Sequence, residues 1–140
     1  MDLGLPRSAS NAFLTSVALW IISMFLPIAF SDLGQPIYGW RILIIGWFGP
    51  LDRMFAWYAN PLAIGGVVLI LRKRITAATA VVAIALVFAA QSFTWREIPS
   101  DQSAEIVDHL SFGFYVWLAS LVVLLGTTRF ISRNNAKLQP

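Results

Sequence analysis

Four long stretches without a formal charge constrain this chain more than anything else in it. No charged residue lies between Arg7 and Asp32, and the run Ala12 to Phe30 is nineteen residues long. Met54 to Leu71 gives eighteen uncharged residues, Ile75 to Trp95 twenty-one, and Leu110 to Thr128 nineteen. About 20 residues at 1.5 Å each cross a bilayer core, and one central charge would add roughly 2.5–3.5 kcal/mol to insertion. The runs are apolar around their circumference, with no polar stripe at helical period, so a water-facing side is missing. With 58% hydrophobic and 12% charged residues and a mean hydropathy of +0.72, the composition lies far from a soluble domain at about 45–50% and 25%. The expected fold is therefore an all-α membrane protein: one transmembrane domain over 1–140, with spans at 12–30, 54–71, 75–95 and 110–128.

Charge position sets the expected orientation. In a four-span arrangement one face carries Arg7, Arg72, Lys73, Arg74, Arg129, Arg133 and Lys137 with only Asp2 against them. The other carries Arg41, Arg53 and Arg96 against six carboxylates. Cytoplasmic loops retain Lys and Arg, so both termini are expected in the cytoplasm. The net charge of +3 is then a balance of +6 inside and −3 outside, which argues against nucleic acid as a partner. A competing expectation treats Arg7, the first run and Ala29-Phe30-Ser31 as a cleaved signal peptide, with a mature chain starting at Asp32; the run is longer than the usual 7–15 residues of such a segment.

Between the first two spans, the segment 37–51 holds Arg41 and then ten uncharged residues, 42–51, too few to cross. A short helix at the outer headgroup level or a re-entrant turn is expected there, anchored by Trp40 and Trp47 and ended by Gly49-Pro50. The second span contains Asn60-Pro61, read as a kink, with Asn60 as a buried amide that needs a partner. Five of the six tryptophans, Trp40, Trp47, Trp57, Trp95 and Trp117, fall in the outer half, which leaves two functions open: interface anchors, or a platform for a partner. The alanine-rich third span is expected to be the most buried helix. The three-residue connection Arg72-Lys73-Arg74 makes spans two and three a hairpin, which brings Asp52 towards Arg96 and Arg53 towards Glu97 as an ion-pair clasp or a polar mouth.

Catalytic signatures are absent from the sequence. No span holds an ionisable residue, and there is no phosphate-binding glycine loop, nucleophile elbow or H-E-x-x-H. Cysteine is absent, which removes thiolate chemistry and Cys-based metal sites. Glu105, Asp108 and His109 form at most a weak cation site, so no metal or cofactor is expected. The segment Gly39-Trp40, Gly46-Trp47-Phe48-Gly49-Pro50 and Phe55-Ala56-Trp57-Tyr58-Ala59-Asn60-Pro61, with the aromatic run Phe112 to Ser120, resembles small bacterial inner-membrane proteins. That resemblance implies a multi-pass inner-membrane location and transfers no activity. The expected function is a non-enzymatic accessory, interaction or immunity-type subunit. Its candidate outer face comprises Trp40, Trp47, Asp52, Arg53, Trp57, Asn60, Arg96, Glu97 and Trp117, and its partners are the bilayer and another membrane protein or a second copy. The alternative is a small oligomeric transporter or channel lined by Ser16, Ser23, Thr76, Thr79, Gln91, Ser120 and Thr127.

Overall fold

The computed structural model describes residues 6–46, 55–94, 97–98 and 105–137. Helix α1 spans Arg7–Met24 and leads into strand β1, Pro27–Ser31, and strand β2, Pro36–Tyr38. Helix α2 is Gly39–Ile45. A 3-10 turn, Phe55–Tyr58, runs into helix α3, Ala59–Leu71, and helix α4, Ile75–Ala90, ends in a second 3-10 turn, Gln91–Thr94. Strands β3, Glu97–Ile98, and β4, Glu105–Leu110, precede the long helix α5, Phe112–Lys137.

The chain is mostly helical, but it is not all-α. A small antiparallel sheet of order β2-β1-β4-β3 closes one end of the helices. The expected first span, 12–30, therefore ends early. Pro27 lacks a backbone N–H and pushes Leu26 out of the helical region, so the helix stops at Met24 and the apolar remainder continues as β1. A short apolar run does not by itself distinguish strand from helix. Pro36 occupies the first position of β2, an edge strand, where a missing donor costs no ladder bond. Between them Gly34 takes φ +73° and donates to Ser31 O at 2.9 Å, a left-handed turn position that suits glycine.

The sheet ties distant parts of the chain together. β1 pairs with β4 through Ala29 and Leu110, Phe30 and His109, and Ser31 and Val107. Ser111 N donates to Ile28 O at 2.7 Å, so the end of α1 and the start of α5 are locked side by side. From there the two helices run antiparallel in close contact. α5 packs on α4, and α4 on α3, whereas α1 and α3 barely touch along their lengths. The helices thus form an arc α1-α5-α4-α3 with an open seam between its ends.

Two helical stretches, Ile75–Thr94 and Phe112–Ala136, are long and apolar enough to cross a membrane. The 55–71 stretch is shorter, and α1 begins with the polar Arg7, Ser8, Ser10 and Asn11. Four equivalent spans are thus not what the helices show on length and composition alone. The expected kink at Pro61 is instead a change of helix type between Tyr58 and Ala59. Pro61 then falls in the first turn of α3, where its missing donor breaks no intrahelical bond. Of the segment 37–51, residues 37–38 belong to β2 and Gly39–Ile45 forms the expected short helix; 47–51 lie outside the described residues.

α4 is not the most buried of the long helices. Ile75, Ala78, Val82, Ala85 and Ala89 bury one stripe, while Ile84 and Val87 on the other side are exposed. α5 buries more: it packs along α1 and α4 and also meets β1 of the sheet. Small residues on α3 and α4 do bring the helices close: a Cβ on Gly66 would collide with the Val82 side chain.

At the opposite end, Lys73 takes φ +59°. Arg74 N donates to Leu69 O at 2.9 Å and Lys73 N to Ile70 O at 2.8 Å, the paired bonds of a Schellman cap. Lysine thus holds a position that glycine fills at lower cost. The turn Arg72-Lys73-Arg74 and the basic tail of α5 lie at the end of the bundle opposite the sheet, as the hairpin expectation requires.

Candidate functional site

Asn60 is the centre of the polar interior. It is 5% exposed, and its Oδ1 accepts from Trp117 Nε1 at 3.0 Å and Trp20 Nε1 at 3.1 Å. An indole N–H only donates, so both bonds must go to the amide oxygen, which fixes the orientation of the side chain. One residue of α3 therefore joins α1 and α5, and the Trp20 bond crosses the open seam. Hydroxyls extend the frame: Ser120 Oγ donates to Trp117 O at 2.6 Å, Ser23 Oγ to Trp20 O at 2.6 Å, and Ser16 Oγ to Ser120 O at 3.0 Å.

Aromatic packing surrounds this node. Phe114 stacks obliquely with Trp117 at 5.8 Å between ring centroids and meets Phe93 edge-on at 5.1 Å. Trp57 donates through Nε1 to Leu43 O at 3.0 Å, which fastens α2 to the start of α3. Gly46 lies directly under the Trp57 ring, where a Cβ would overlap it. Phe55 N donates to Gln91 Oε1 at 2.7 Å, so the adjoining ends of α3 and α4 meet as the hairpin predicts.

Two cavities flank the node. The smaller, about 30 Å³, lies beneath the sheet and α2 and is lined by Met24, Ile42, Trp57, Asn60, Phe114 and Trp117 among others. The larger, about 140 Å³, follows the seam between α1 and α3 and has α5 as its back wall, with Val17, Trp20, Ala63, Ile64, Leu121 and Leu124 on its sides.

Of the candidate residues, Asn60, Trp57 and Trp117 share this region. Trp40 stands apart on α2, 47% exposed. Trp47, Asp52, Arg53 and Arg96 lie outside the described residues, as does the Glu97 side chain, so the expected clasp does too; the Glu97 backbone pairs with Ile106. Trp20 was not among the candidates, because its place in the first run sets it apart from the outer five. The signal for it was chemical: a buried indole needs an acceptor, and Asn60 is the strongest one in the apolar runs.

Of the hydroxyls expected to line a channel, Ser16 and Ser120 share the seam cavity. Thr79, Thr127, Ser23 and Ser120 bond to carbonyls of their own helices, and Thr76 faces outward. Asp108 and His109 bond each other at 2.8 Å, with the imidazole stacked on Phe30 at 5.2 Å. No group of three metal-ligating side chains lies together among the described residues. No protein-family model, curated protein or solved structure matches the chain.

Proposed function

We propose that this chain is a four-span membrane protein of the bacterial inner membrane and that it serves as a non-enzymatic accessory subunit. Both termini and the 72–74 turn face the cytoplasm in this reading, and the sheet forms an outer cap. The first and second spans are α1 and the 55–71 stretch. Each is slightly short for the hydrocarbon core and is accommodated by local thinning or snorkelling at modest cost. The charge asymmetry of the sequence supports this orientation.

The partner surface is the outer aromatic collar. The observation that carries this is the cluster of exposed rings at the sheet end: Tyr38, Trp40, Phe55, Tyr58, Phe93, Phe112 and Tyr115. Rings at the lipid rim anchor the protein at headgroup depth. Trp40, on the short α2 helix of the cap, is positioned to meet another membrane component.

Purification in mild detergent is expected to retain a stoichiometric partner. Trp40→Ala is expected to lower its retention roughly tenfold or more, the size of a tryptophan hot spot. Phe130→Ala, at the opposite end, should leave it unchanged. Equal retention by both variants would remove the role assigned to the collar, and recovery of self-oligomers alone would favour the transporter alternative.

A further inference from the structure

At the end of the bundle opposite the sheet, α1 and α5 leave an open groove of about 330 Å³ between them. Ala9 and Ala12 of α1 line it together with Val123, Gly126, Thr127 and Phe130 of α5. Small side chains account for the space. The two helices are in close contact where Ser16 Oγ donates to Ser120 O at 3.0 Å, but two turns further on the facing walls are alanine and glycine, and a Cβ on Gly126 would meet nothing within 4 Å. Thr127 Oγ1 is bonded to Val123 O at 2.8 Å and offers the groove no free hydrogen. The walls therefore suit hydrocarbon.

Charge defines the occupant. The groove follows α5 from Val123 to Phe130, about 10 Å of helix, and Arg133 comes three residues after Phe130, on the next turn of the same face. Antiparallel packing from Ser16 opposite Ser120 brings Arg7 level with Arg129. All three arginines are exposed, and none has an anionic partner among the described residues, whose four carboxylates, Asp32, Glu97, Glu105 and Asp108, all belong to the sheet end. α1 starts at the same place with no side-chain cap and no acidic residue in its first turn, so its dipole adds to the positive field. An apolar groove ending in such a rim matches a ligand with an anionic head and a hydrocarbon chain. A second copy is a poor match, because two chains inserted in the same sense would set arginine against arginine.

We propose that the α1/α5 groove holds an acyl chain of an anionic phospholipid, whose phosphate lies among Arg7, Arg129 and Arg133. The source of this ligand, the cytoplasmic leaflet, rests on the membrane reading above. Any lipid chain can enter the groove, so selectivity resides in the headgroup, at roughly fivefold for each arginine beside it.

Native mass spectrometry of the full chain tests this, with the protein released from non-ionic micelles that contain phosphatidylglycerol and phosphatidylcholine in equal amounts. One bound phosphatidylglycerol is expected, favoured at least about tenfold over phosphatidylcholine. Arg129→Gln with Arg133→Gln should lower that preference roughly tenfold or more. Gly126→Leu places a side chain in the groove and should weaken binding at least about threefold by removing the space for the chain. A micelle melting curve shows whether Gly126→Leu remains folded; if it does not, the arginine pair decides alone. Arg72→Gln with Lys73→Gln removes as much charge at the same end of the bundle without touching the groove, and should leave binding unchanged. Equal retention of the two lipids, an undiminished adduct in folded Gly126→Leu, or an equal loss in the Arg72 and Lys73 variant would overturn the proposal. Flotation with phosphatidylcholine vesicles, which carry no net headgroup charge, reads membrane insertion separately, so either claim can fail without the other.

Discussion

Asn60→Leu is expected to lower stability by about 2–4 kcal/mol, the largest effect of any single polar substitution in the helical core. Two indole N–H groups lose the same acceptor at once, and an unsatisfied buried donor costs about 1–3 kcal/mol. Trp117 is 7% exposed and has nowhere to turn, whereas Trp20 is half-buried at the seam and recovers part of its loss. Interhelical hydrogen bonds in membrane proteins average only about 0.6 kcal/mol by double-mutant cycles, so the estimate depends on one oxygen serving two donors. The check is reversible unfolding in mixed micelles, with a triple variant as the control. Adding Trp20→Phe and Trp117→Phe to Asn60→Leu removes both orphaned donors and should restore about 1–2 kcal/mol, because replacing all partners by apolar groups is far less costly than stranding one. If the triple variant is no more stable than Asn60→Leu, the node does not act through these bonds.

Gly113→Ala is expected to cost about 2–3 kcal/mol, since overpacking a tight contact costs about 1–3 kcal/mol and this contact is with backbone. An added Cβ would sit 2.6 Å from Pro27 O and 3.0 Å from Leu26 O, at the corner where α1 becomes β1. Leu26 O accepts from Gly39 N at 3.3 Å and Pro27 pairs with Tyr38, so neither carbonyl can move without disturbing the junction with β2 and α2 or separating α5 from α1. Gly126, on the same helix, has nothing within 4 Å of its would-be Cβ. Gly126→Ala should therefore be neutral or stabilise by up to about 1 kcal/mol through helix propensity. The contrast between the two variants, measured in the same unfolding assay, separates a packing requirement from a general cost of alanine. Equal effects would mean that the α1/α5 corner is not as close as described.

How much of this was legible beforehand depends on the physical range of the signal. The charge-free runs marked the helices, because charge exclusion is a local property of each segment. The 72–74 turn was legible too, since three residues leave no other path between two helices. The sheet was not: Pro27 to Ser31 is apolar enough to pass for the end of a helix, and its partner, 105–110, reads as an acidic loop until the two are paired across the chain. Asn60 was marked as a buried amide that needs a partner, but nothing in sequence spacing selects Trp20 and Trp117 from six tryptophans. That choice is made by the α1-α5-α4-α3 arc. Alanine-rich α4 is nonetheless less buried than α5, although each has two helix neighbours in that arc: composition describes how closely a helix can approach a neighbour, and not how much of its surface the neighbours cover.

The central claim, that the sheet end and the 72–74 turn lie on opposite sides of a membrane, can be read directly because the chain has no cysteine. Leu33, 82% exposed on the cap, and Lys73, exposed in the turn, each become a unique label as Leu33→Cys and Lys73→Cys. In intact cells with a permeabilised outer layer, a membrane-impermeant maleimide is expected to modify Leu33→Cys, and to reach Lys73→Cys only after the inner membrane is broken. Modification of both before lysis, or of Lys73→Cys alone, would contradict it.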